Sequence, residues 1–125
     1  MANNGLTKSF TSEALIGAFR IIKPGAAAFG AVQGAAATDR LLGITTEVAV
    51  DTIGERVDVI MNGIADLKLG GTVAAGDLIT SDATGQGVLA APAAGVNNRI
   101  IGVAIIAGVI GDIIPVSIEP GSIQG

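Results

Sequence analysis

Between Arg99 and Asp112 lie twelve consecutive uncharged residues, IIGVAIIAGVIG, the most apolar run in the chain. A membrane-spanning helix needs roughly 20 mostly apolar residues at about 1.5 Å rise each, and glycine interrupts this run at 102, 108 and 111. The run is too short and too rich in glycine for a span. Its Ile- and Val-rich pieces read instead as strands joined by a turn.

The same punctuation recurs along the whole chain. Short runs rich in Val, Ile and Thr end at Pro24-Gly25, Asn62-Gly63, Gly70-Gly71, Gly76-Asp77, Thr84-Gly85 and Pro120-Gly121, dipeptides that mark turns. Alternation is clearest over 57–62, where Val57, Val59 and Met61 share a face, and over 114–119, where Ile114, Val116 and Ile118 do. These features predict an all-β fold, a small barrel or sandwich with little helix. Pro115 has no N–H for a ladder, which predicts an edge strand or a bulge there. Residues 18–23 form another expected strand. The best helical candidate, 12–19, has Ser12 as a cap and Glu13 in its first turn, but Gly17 interrupts it. An extended arm fits that segment equally well.

Two stretches echo each other. Arg40-Leu41-Leu42-Gly43-Ile44 stands beside Arg99-Ile100-Ile101-Gly102-Val103, and Gly54-Glu55 beside Gly111-Asp112. The echo predicts two similar β units, at about 24–63 and 75–121, within one β domain over 18–125, preceded by an N-terminal arm over 1–17. In the first copy the apolar run is replaced by Thr45, Thr46 and Glu47. A frame that carries such residues is a strand frame, so the second copy is expected to be the drier one.

Composition then narrows function. With three Phe and no Trp or Tyr, the core must be aliphatic. The chain has no cysteine and no histidine, so the commonest nucleophile, general base and transition-metal ligands are missing. No catalytic residue, metal site or cofactor is expected, and the protein is not expected to be an enzyme. The net charge of -4 gives no footprint for nucleic acid. No leader with an apolar stretch follows the polar Met1–Asn4, which predicts synthesis in the cytoplasm. The glycine-rich loop at 70–76 lacks the spacing and the lysine of a phosphate cradle. The segment 81–85 lacks the alternating acids of a calcium loop and reads as a hairpin turn with Gly85 left-handed. Arg40 and Arg99 are expected to pair with Asp39, Asp112 or Glu55, and the remaining acids to form a solvated face. Leu6, Phe10, Leu15 and Ile16 are more apolar than a free tail requires, and with Lys8 they fit an arm lying on an acidic neighbour.

The order of motifs in the second half resembles a known family. Gly76-Asp77-Leu78-Ile79-Thr80, a turn, Gly87-Val88-Leu89, then Ile101-Gly102-Val103-Ala104, then Gly111-Asp112-Ile113-Ile114-Pro115-Val116 is similar to the small capsid decoration, or cement, proteins of tailed bacteriophages. The resemblance covers residues 64–120 well and 18–63 more loosely. It implies a β-rich homotrimer on the outer face of an expanded capsid, bound to the major capsid protein, with no nucleic acid or membrane as partner. The long N-terminal segment departs from that family and is expected to act as an arm, with Leu6, Lys8 and Phe10 contacting the capsid and Arg20 and Lys23 meeting an acidic surface. Ile100, Ile101, Val103, Ile105 and Ile106 are expected in the core or the subunit interface. On this reading removal of residues 2–12 weakens capsid binding and leaves the fold intact. A tail or fibre component, or an oligomeric β-barrel that binds a small ligand, are the alternatives.

Overall fold

A computed structural model describes residues 7–124, and these form an all-β structure with no helix. Ten strands follow one another: β1 (Thr7–Ser12), β2 (Ile21–Pro24), β3 (Gly30–Gln33), β4 (Gly43–Thr45), β5 (Arg56–Ile60), β6 (Gly63–Lys68), β7 (Leu78–Ser81), β8 (Gly87–Leu89), β9 (Asn97–Ala104) and β10 (Ile113–Gln124). The first five close into a barrel in the order β1-β3-β2-β4-β5. The last five form a sheet in the order β6-β10-β9-β7-β8. The apolar run of the second half is the end of β9, a loop and the start of β10, and no helix among the described residues is long and apolar enough to cross a membrane.

Both halves use one pairing plan. In the barrel β1 pairs antiparallel with β5, β5 with β4, β4 with β2 and β2 with β3. In the sheet β6 pairs with β10, β10 with β9, β9 with β7 and β7 with β8, again antiparallel. A parallel contact of Ser12 with Ala31 closes the barrel, and one parallel bridge, Leu69 with Gly87, stands at the same place in the sheet. Loop hydrogen bonds repeat as well. Ser12 N donates to Glu55 O and Gly54 N to Ser12 O, as Leu69 N does to Asp112 O and Gly111 N to Leu69 O. The second half is therefore the same barrel left nearly open. The related strands are β1 and β6, one strand earlier than the sequence echo reaches, because TKSFTS of 7–12 and IADLKL of 64–69 share no letters in register.

This assignment corrects the expected arm. Within the described part of residues 1–17, Thr7–Ser12 is a wall of the barrel, paired with β5 from Thr7–Ile60 to Thr11–Arg56 and with β3 at its end. Its outward residues are Thr7, Ser9 and Thr11, all exposed, so Phe10 is its one strongly apolar residue. The helical candidate is also absent, because Ser12 ends β1 and its hydroxyl donates to Glu55 O rather than capping a turn.

Pro115 departs from its expected place in a different way. It lies in β10, between β6 and β9 rather than at an edge. It is tolerated because β9 ends at Ala104, and Ile105 N then donates to Pro115 O at 3.1 Å. The missing N–H faces the point where the ladder stops, so no bond is lost inside it.

Alternation sets the cores. Ile22, Ala31, Val57 and Val59 fill the barrel with Ile16 and Val50, and Phe10 and Met61 pack against them. Leu67, Ile79, Ile114, Val116 and Ile118 line the second half, joined by Ile21, Leu41 and Ile44 of the barrel. The two halves thus share one dry layer, and each fully buried Ile or Leu in it contributes about 2 kcal/mol.

The glycine that both echoes carry has a steric cause. A Cβ on Gly43 would fall on the Ile60 carbonyl oxygen, and one on Gly102 on that of Ser117. At both sites the next strand's backbone crosses too closely for any side chain.

Candidate functional site

The basic residues expected to meet a capsid fall into three settings, and Leu6 lies outside the described residues. Lys8 is exposed on β1, its Nζ 4.8 Å from the centre of the Phe29 ring. Phe10, half-buried below, holds that ring at 6.4 Å between centroids and a 56° tilt. Phe29 is 63% exposed and has φ 57°, so the β2–β3 turn presents it outward. Arg20 works inside the fold: its Nη1 donates to Thr84 O at 2.8 Å, tying the barrel to the β7–β8 turn, and its buried Nε makes no hydrogen bond. Lys23 pairs with Asp39 at 3.2 Å.

Two carboxylates on this side brace turns. Asp39 accepts from Ala35 N and Ala36 N. Burial pushes its carboxyl up, but the Ala35 N–H, the Lys23 ammonium and the Ala36 N–H together outweigh that and hold it below its ordinary value. Glu13 accepts from Ala26 N and Ala27 N at 2.9 Å each. The Ala27 N–H, then the Ala26 N–H, lower its carboxyl against a small opposing effect of burial. Arg40 and Arg99 take part in neither of the ion pairs formed among the described residues, Lys23–Asp39 and Arg56–Asp58. Asp39 is occupied by Lys23, and Asp112 accepts from Val109 N.

The aliphatic set divides. Ile101 is fully buried and Ile100 is 9% exposed. Val103 is half-buried on the outward side of β9. Ile105 and Ile106 are 42% and 47% exposed. They lie outside the core because β9 ends at Ala104 and the following loop lifts them off it. The expected drier second copy is therefore not found as a whole: β10 alternates buried with exposed residues, β4 of the first copy is buried throughout, and the second copy's loop is apolar but exposed.

A cleft of about 220 Å³ opens where the halves meet, lined by Phe19, Thr45, Thr46, Glu47, Ile60, Ile64, Ala65 and Asp66. Its buried hydroxyl, Thr45 Oγ1, is already used, accepting from Arg20 N and donating to Gly17 O. Thr46, Glu47 and Asp66 supply the other polar groups of the lining.

No protein-family model matches the chain, and no curated protein matches it in sequence. In three dimensions it is similar to the N base of the head fiber gp8.5 of bacteriophage phi29, with a TM-score of 0.70 and 14% identity over 91% of this chain and 93% of that one. At that identity the likeness is one of fold, and it takes in both halves of the molecule.

Proposed function

We propose that the chain is a structural component of a bacteriophage virion, seated on the outer surface of the head on the major capsid protein and associated with its own copies as a homotrimer. The observation that carries this reading is the fold shared almost end to end with a phage head-fiber base. The side-chain chemistry agrees with a mechanical task, since Glu13, Arg20, Lys23 and Asp39 all hold turns or neighbouring strands. Of Lys8, Arg20 and Lys23, exposed Lys8, stacked on Phe29, is the one held neither by an ion pair nor by a neighbouring turn, and it is suited to meet a capsid. Binding only to the expanded lattice stabilises it by RT ln(1 + [L]/Kd) per site, and many equivalent sites multiply a modest energy. Neither nucleic acid, membrane nor cofactor takes part.

The neighbour's name supports a second reading, in which this domain is the seat of a fibre rather than a free-standing cement. Both readings place it on the head. The test is to mix the purified chain with expanded, undecorated capsids and image them: added density on the outer lattice is expected, and a bare lattice overturns the reading. Gold labelling of intact virions separates head from tail.

A further inference from the structure

The shared pairing plan lets one half serve as a control for the other. The pairs Thr7–Ile60, Ser9–Asp58 and Thr11–Arg56 of the barrel correspond to Ile64–Ser117, Asp66–Pro115 and Lys68–Ile113 of the sheet. In the barrel the outward wall of β1 and β5 is polar, Ser9 donating to Asp58 and Arg56 pairing with it. At equivalent positions the sheet carries Ile64, Pro115 and Ile113, and Ile105 follows beside Pro115. Ile64 is 60% exposed and Ile113 49%. Of the six paired positions, the barrel gives one to an apolar residue, Ile60, whereas the sheet gives three, Ile64, Pro115 and Ile113, beside Asp66, Lys68 and Ser117.

We propose that this outward face of β6 and β10, with the 105–113 loop, is where copies of this chain associate. The inference deepens the self-association in the function proposed above and rests on it. Six aliphatic side chains there, from Ile105 at 42% to Ile110 at 71% exposed, present on the order of 500 Å², a patch size that marks interaction sites and more than half of the ~800 Å² a partner gives to a standard interface. The charges here are Asp66 and Lys68, one of each sign on β6, with Asp112 in the loop engaged by Val109 N and Glu119 farther along β10 engaged by Ser117 Oγ. The aliphatic side chains outnumber these charges, so one copy can lay this face against another. A surface kept for a capsid must stay exposed in the free protein, where so apolar a patch drives aggregation; one covered by its own copies from assembly onward does not.

The test replaces the face with the barrel's own wall residues, as I64T/I113R/P115D, and compares sedimentation velocity with the unaltered chain. An oligomeric wild type and a monomeric, cooperatively unfolding variant are expected. A folded variant that stays oligomeric overturns the assignment of the face while leaving self-association standing. A monomeric wild type overturns both, and capsid imaging still decides the virion reading. Should the triple variant not fold, maleimide labelling of I64C against T7C decides, in a chain otherwise free of cysteine. Labelling about tenfold slower at the sheet position, as for a desolvated interface core, supports the face. Equal rates, or protection that appears only when capsids are added, overturn it.

Discussion

G102A should be among the most damaging single-methyl changes in this protein. The added Cβ would fall on the Ser117 carbonyl oxygen, 2.9 Å from Ser117 C and 3.1 Å from Glu119 N. All three atoms are backbone of β10, so no side-chain rotation relieves the clash and β9 must move away from β10. Overpacking of this kind costs about 1–3 kcal/mol, and one ladder hydrogen bond lost adds about 1 kcal/mol. A total of about 2–4 kcal/mol lowers Tm by roughly 10–15 °C in a domain of this size. The contrast is G71A, whose Cβ meets Val88 Cγ1 at an ordinary 3.6 Å and should stay within about 0.5 kcal/mol of wild type. Urea unfolding followed by circular dichroism, at one fixed protomer concentration because association shifts apparent stability, measures both. A G102A protein as stable as G71A would refute the close-approach account. G43A offers an independent repeat, its Cβ facing Val59 Cγ1 at 2.7 Å and Ile60 C at 3.0 Å.

Three further outcomes are expected. Removing residues 2–12 takes away the strand that pairs with β5 and closes the barrel on Ala31, so the truncated chain should lose cooperative unfolding of its first half, read by hydrogen exchange at Val57 and Val59. Asp39 titrates below its ordinary value when folded, so its contribution is present above the unfolded value near pH 4 and is lost as pH falls through the lowered one. Wild type should therefore be more stable than D39N at pH 7, with the gap closing in acid; a gap that is constant with pH counts against the Lys23 and backbone contacts as its source. L67A, at a site with no exposure, should cost about 3 kcal/mol, measured by the same denaturation.

Much of the fold can be read from the sequence where one strand face is dry. Val57, Val59 and Met61, and Ile114, Val116 and Ile118, sit inward as their alternation requires. Gly85 turns the β7–β8 hairpin at φ 78°. What escapes is whatever is held by partners distant in sequence. β1 has one strongly apolar residue and is a strand because β5 and β3 supply its ladders. Isoleucine carries no sign of its exposure, so Ile101 in the core and Ile106 in the loop look alike in a string of letters. The candidate contact residues are harder still. Lys23 and Arg20 look like free surface cations until Asp39 and the Thr84 carbonyl are folded against them. Phe29, which joins Lys8 and Phe10 in a surface cluster, has no sequence signal beyond being one of three phenylalanines.

The two halves differ most where they meet. In the barrel Ile21, Ile44 and Ile60 are paired across β2, β4 and β5, and Ile21 and Ile44 have no exposure because the second half covers them. Their counterparts Leu78, Val103 and Ser117 are paired in the same way yet remain half-buried. Two units joined by a two-fold axis would bury equivalent rows equally, since an isologous contact uses one patch on both sides. The contact is therefore heterologous: the first unit offers its β2–β4–β5 row and the second answers with a different surface. A heterologous pairing leaves the second unit's own copy of that row without a partner inside the chain. That row adjoins Ile64 through Ser117, so the unused face of the repeat and the apolar wall of β6 and β10 are one continuous surface.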